Sequence, residues 1–205
     1  MTSVEAIDSI CDFCRKKICA DVKLKCPKQV NDSGYEYELV TPSVHGMFAP
    51  PSKFPKSGAT VEIPSMTVQL LSGDDLPLKK ETRLEFQILF VTWSPGMHGK
   101  DIFKQDETNP LLFLQWNNEE AKKYYDRAEN GWRDVWNWID KARREFGNAG
   151  SIAGMEIDPD GAGIHFEPIK EQDSLPDFYP FWMARLTFSA EAKLLRSVEN
   201  VAEFL

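Results

Sequence analysis

RLEFQILFVTW, residues 83–93, is the stretch whose reading decides the fold. It alternates as a β-strand, with Leu84, Phe86, Ile88 and Phe90 on one face and Gln87, Leu89, Val91 and Trp93 on the other. The first face is wholly apolar and the second mostly so. A strand apolar on both sides is expected at the centre of a sheet, covered by helices on one face and by another layer or subunit on the other.

Outward from it, residues 63–72 read as a preceding strand, with Met66, Val68 and Leu70 alternating against Thr67, Gln69 and Leu71. Gly73-Asp74-Asp75 reads as a turn, so the two strands form an antiparallel hairpin with a long connection. Downstream, residues 131–146 carry the strongest helical pattern, capped by Asn130 and ended by Gly147. Their apolar face is Trp132, Val135, Trp136, Ile139, Ala142 and Phe146. Residues 152–157 and 164–169 flank DPDGAG and read as a second hairpin, and residues 181–189 as a last strand. The expected core is Phe86, Ile88, Phe90, Trp132, Trp136, Ile139 and Leu186.

At the start, residues 3–20 read as a helix capped by Ser3, with Ala6 where a full capping box would hold Glu. Val4, Ile7, Cys11, Cys14 and Ile18 form its apolar stripe. An extended segment, 22–26, stops at Pro27; turn signals fill 29–34, and 35–40 reads as a strand. Residues 41–60 hold too much proline and glycine for a helix or central strand, yet contain Phe48 and Phe54. Residues 94–110 read as a polar loop, 111–116 is an apolar run that periodicity does not assign, and 118–128 and 191–205 are helix-compatible. These elements predict an α+β fold: one domain over 1–205, a mainly antiparallel sheet with helices packed on one face, and long loop insertions.

Composition narrows function. A formal net charge of −8 disfavours a general nucleic-acid binder, no sequence-specific nucleic-acid partner is expected, and no apolar run is long enough to span a membrane. Cys11, Cys14, Cys19 and Cys26 match no common zinc or iron–sulfur spacing, and two of them lie in the helical stripe, so no metal is expected there. Asp158, Asp160 and Gly161 begin like a calcium loop, but Ala162 and Ile164 occupy liganding positions, which makes a turn the simpler reading. His45, His98 and His165 show no paired spacing, and nucleophile-elbow, P-loop and dinucleotide motifs are missing. The expectation is a chain with no catalytic, cofactor or metal residues. Six tryptophans and thirteen phenylalanines supply material for a large core, for subunit contacts, or for both. Candidate interface residues are Phe48, Phe54, Met97 and Phe103.

The order of a helix, the strand PSMTVQLLSGDD, the strand RLEFQILFVTW, the helix GWRDVWNWIDKARREF, a hairpin and a last strand resembles the bacteriophage tail terminator family. That family includes the lambda tail terminator and relatives in contractile tails and phage-tail-like bacteriocins. The resemblance covers about residues 63–189 and the N-terminal helix; the extra length lies at 41–60, at 94–125 and in a C-terminal extension, 190–205. It implies a non-catalytic virion protein whose copies form a ring, a hexamer in the family, capping the tail tube. The implied partners are itself, the tail tube protein, the tail sheath where the tail contracts, and a head–tail connector or collar protein. The implied location is the host cytoplasm during assembly, then the virion or tail particle. The alternatives are another neck or connector protein, or a cytoplasmic enzyme without a recognisable motif.

Overall fold

The computed structural model describes residues 1–31, 34–51, 61–94, 103–105, 113–116, 131–170, 174, 178 and 180–193. In chain order the elements are α1 (Ser3–Phe13), which continues as a π-helical segment Cys14–Cys19, then β1 (Leu24–Asn31), β2 (Gly34–Val40), β3 (Ser43–Gly46), β4 (Ser65–Leu76), β5 (Glu81–Trp93), β6 (Phe103–Gln105), β7 (Phe113–Trp116), α2 (Arg133–Ala149), β8 (Ser151–Ile152), β9 (Met155–Ile157), β10 (His165–Pro168) and β11 (Phe181–Lys193). The fold is α+β, with a strongly curled, mainly antiparallel sheet.

The sheet runs β3-β4-β5-β11-β9-β8, and β10 joins β11 on the same side as β9. β5 is central as expected, antiparallel to β4 on one side and to β11 along its whole length on the other. Register turns the alternation into ladders. Met66, Phe90 and Ala184 lie in one row, Val68, Ile88 and Leu186 in the next, and Leu70, Phe86 and Phe188 in a third. All but Leu70 are buried beneath α1 and α2. The small residues Ala184, Ala190 and Ala192 on β11 leave room for helix packing. An aromatic relay spans the layers: Phe13 packs on Phe146 at 5.1 Å, Phe146 on Phe188 at 4.8 Å, and Phe188 on Phe86 at 5.6 Å. The core therefore buries Phe86, Phe90, Phe146, Phe188 and Trp138.

Several expectations are corrected. α2 buries Val135, Trp138, Ile139, Ala142 and Phe146. Trp132 is 37% exposed, precedes the first helical residue and stacks under the Arg133 guanidinium. Trp136 is only half-buried, edge-on to Phe166. Trp138 takes the core place instead, 2% exposed and edge-on to Phe90 at 5.1 Å. The helix begins at Arg133 and runs to Ala149, past Gly147; Gly150, at φ 62, closes it. No side chain caps its start, and Asn130 lies outside the described residues.

In α1 the cap is Thr2 rather than Ser3. Glu5 Nh donates to the Thr2 hydroxyl at 3.1 Å, and Thr2 N donates to the Glu5 carboxylate at 2.7 Å, completing the capping box that Ala6 seemed to preclude. β1 continues through Pro27 with a bulge between Pro27 and Gln29. β3 occupies part of the supposed irregular segment 41–60, as an edge strand parallel to β4. Gly73, Asp74 and Asp75 belong to β4, and the turn lies at Pro77–Lys80. Segments 152–157 and 164–169 do not pair with each other. β8 and β9 make their own two-residue hairpin at Ala153 and Gly154, both at positive φ, while β9 and β10 each pair with β11. β6 falls in the supposed loop and pairs with β7. Residues 118–128 and 194–205 lie outside the described residues, and 191–193 are strand, not helix.

Candidate docking surface and its polar supports

Among the described residues no helix lies on the second face of the sheet. Its rows are Ser65, Val91 and Met183; Thr67, Leu89 and Arg185; Gln69, Gln87 and Thr187; Ser72, Glu85 and Ser189; and Asp74, Arg83 and Glu191. Most of these side chains are half-buried. Hydrogen bonds cross the strands. Gln69 Nε2 donates to Met47 O at 3.1 Å, Gln87 Nε2 to Gln69 Oε1 at 3.0 Å, and Arg185 to Gln87 Oε1 at 3.4 Å. Arg185 Nε also donates to Glu167 Oε1 at 2.8 Å, and Lys170 Nζ lies 3.3 Å from the other Glu167 oxygen. The hydrogen bonds from Arg185, then those from Lys170, hold the Glu167 carboxyl below its usual range. Further along, Arg83 bridges Glu191 and Asp160, and the Glu191 contact raises its pKa.

One end of this face is apolar and partly covered. Trp93 and Ile63 are buried there with Val61, Val91 and Phe181 around them. The β1–β2 hairpin sits over it, with Tyr37 6.5 Å from Trp93. Polar contacts tie the hairpin down. Lys25 Nζ donates to Ser94 Oγ at 3.0 Å, and Ser94 is hydrogen bonded to Asp134 in the first turn of α2. Burial raises the Asp134 pKa, opposed by Lys25 and Ser94. Trp182 Nε1 donates to Ser94 O at 2.8 Å. Gly131 passes so close that a Cβ there would lie 2.4 Å from the same oxygen, so glycine is required. A lysine beside a serine is the pairing some hydrolases use. Here Ser94 is wholly enclosed and shared between Lys25 and Asp134, which makes it a tether joining β1, β5 and α2.

At the sheet's β3–β4 edge apolar side chains reach solvent, as Val4, Leu39 and Leu78 do elsewhere. Arg15 covers the start of this edge by donating to Val44 O at 3.1 Å. The chain leaves β4 at Met47, which adopts φ 66, a left-handed conformation uncommon for a side chain of this size. Phe48 is then 74% exposed, Met47 45% and, two residues along β4 from Gln69, Leu71 57%. Of the other candidate interface residues, Phe103 opens β6, and Phe54 and Met97 lie outside the described residues. Met47 and Leu71 were missed because both sit in patterns that read equally well as loop and strand interior.

The remaining chemistry-bearing groups do not converge. All four cysteines are buried; burial pushes Cys11 to about 11 and Cys19 to about 12, and Cys14 well above the usual thiol range. His45, on β3, has Nε2 3.0 Å from Glu62 Oε2, whereas His165 is on β10 and His98 is outside the described residues. The Asp158 carboxylate accepts from Gly163 N, closing its own loop. Among the described residues no group of three or more His, Cys, Asp or Glu is placed to hold a metal, and no helix is long and apolar enough to cross a membrane.

These features define an α+β domain with one sheet face covered by α1 and α2 and a second face tiled by polar pairs. No protein-family model matches the chain, and no curated protein matches it in sequence.

Proposed function

We propose that this chain is a non-catalytic, ring-forming subunit that caps the end of a phage-type tail tube, ends tube growth and presents the joining surface for a head or collar. The observation that carries the reading is the asymmetry of the sheet: helices cover one face, while the other is half-exposed and bordered by Met47, Phe48 and Leu71. A ring is a closed heterologous assembly, in which one surface of each subunit meets a different surface of the next. A curled sheet with a half-exposed, polar-tiled face and apolar side chains at its β3–β4 edge supplies two such surfaces. A cap must also match the tube on one side and refuse further tube subunits on the other. The partners in this reading are further copies of the chain, the tube protein, the sheath where the tail contracts, and the connector or collar. A net charge of −8 suits protein partners and repels DNA passing through a lumen.

The test is deletion of the gene in a tail-producing strain, followed by electron microscopy of the tails. Tails of irregular or excessive length that fail to join heads or collars are expected. Normal length with normal completion overturns the reading.

A further inference from the structure

We propose that the tip of the β4–β5 hairpin, Pro77–Lys80, docks on the outer face of α1 in a second copy of this chain, with Leu78 against Val4 and the ammonium groups of Lys79 and Lys80 beside Asp8. The inference rests on the ring reading and adds one contact between neighbouring copies.

The hairpin outruns the core. β4 is buried from Ser65 to Val68, half-buried at Gln69 and Leu70, and exposed from Leu71 to Asp75. Its pairing with β5 nevertheless continues to Leu76 and Glu81. Polar contacts brace this arm: Thr82 Oγ1 donates to Asp75 Oδ1 at 2.8 Å, and Arg83 Nε donates to Glu191 on β11 at 3.1 Å. The turn at its end is held by Lys79 N donating to Leu76 O at 3.0 Å and Lys80 N to Pro77 O at 3.3 Å. Leu78, on that turn, is fully exposed, the most exposed large apolar side chain among the described residues. A two-stranded ribbon open to water gains little from its own burial. A braced turn that holds an apolar side chain outward loses little conformational freedom when it docks.

The occupant follows from charge. The tip carries two adjacent lysines, while the chain as a whole carries −8. Asp74 and Asp75 on the stem weigh against an anionic lipid surface. The receiving surface must set an exposed apolar side chain beside an exposed carboxylate. On α1, Val4 is 64% exposed, and Asp8, one turn further along the same face, is exposed too. Glu5 is engaged by the Thr2 cap and Asp12 by Arg15 and Lys16, whereas Asp8 has no ion pair among the described residues. Full exposure of Leu78 means that it does not reach Val4 of its own chain, so the contact forms only between copies. A hairpin tip of one copy on a helix of the next is heterologous, as ring closure requires.

The test uses the full chain, read by light scattering and negative-stain microscopy. Leu78→Asp should melt like the unaltered chain, since this side chain buries nothing, and should lose the ring. Lys79→Glu with Lys80→Glu should raise the concentration needed for assembly by at least about tenfold, because like charges then face each other; adding Asp8→Lys should restore it. A chain carrying Val4→Cys and Leu78→Cys should give an intermolecular ladder with a short bis-maleimide, which the four buried native thiols do not. Rings formed normally by Leu78→Asp, a charge reversal that Asp8→Lys does not rescue, or rings without the ladder overturn the contact and leave the ring reading standing. Co-sedimentation of the unaltered chain with phosphatidylglycerol vesicles, lost in Leu78→Asp, would assign the tip to a lipid surface and overturn it as well. So would an unaltered chain that stays monomeric at every concentration, while the tail-length phenotype separately decides the capping function.

Discussion

The two faces of the β4–β5–β11 sheet come from the same strands, yet one is sealed and the other is tiled with polar pairs. On the helix side, Phe90, Ile88 and Phe86 meet apolar neighbours across both adjoining strands and the two helices above. On the other side, positions of the same strands hold Gln69, Gln87 and Arg185, linked by hydrogen bonds to one another, and Arg185 donates to Glu167 on the neighbouring β10. The difference teaches that apolar residues on both faces of a strand do not imply two dry layers. Leu89 is half-buried between Thr67 and Arg185, and Val91 is half-buried beside the Ile63–Trp93 cluster.

The sharpest way to break this comparison is to truncate each face. Trp138→Ala should cost about 3–5 kcal/mol in chemical denaturation, because it empties a closed site against Phe90. Val91→Ala, on the second face, should cost less than about 1.5 kcal/mol, since water already reaches that side chain. Equal losses would show that the second face is as sealed as the first. Gly131→Ala should cost roughly 1–3 kcal/mol by forcing apart the Ser94 carbonyl and α2; unchanged stability would deny the tight approach there. Thr2→Ala should cost about 1 kcal/mol through loss of the α1 cap, independently of either face.

The smallest effect concerns pH. Glu167 has its pKa lowered in the folded state, so its stabilisation is present above its unfolded value, ~4.3, and is lost as pH falls through the lower folded value. Asp134 has the opposite sign: its folded pKa is raised, and the penalty it imposes at neutral pH is relieved on acidification. Glu167→Gln should therefore flatten the acid limb of stability, and Asp134→Asn should steepen it. Thermal melts across the carboxylate range check both, and the same direction for both variants would refute the assignment.

Much of the fold was legible because it is local. The two-residue alternation fixed β4, β5 and β11, and both helices follow from their apolar stripes, as expected of long periodic segments. Their ends were less legible. Gly73-Asp74-Asp75 has turn composition, but pairing with β5 carries the strand through it. On α2, Trp132, Trp136 and Trp138 lie around one stripe, and only the position of the sheet decides that Trp138 is sealed and Trp132 exposed.

Sequence by itself thus determined the α+β class, the central strand, the two helical stripes and the residues of the Leu84–Phe90 core face, since each is set by periodicity within a short window. Only the tertiary structure decided which tryptophan is buried, that β9 and β10 both lie against β11, that Ser94 joins Lys25 to Asp134, and that Met47, Phe48 and Leu71 are exposed at the β3–β4 side of the sheet. Those outcomes depend on groups far apart in the chain meeting in space, and no local pattern of polarity encodes such meetings.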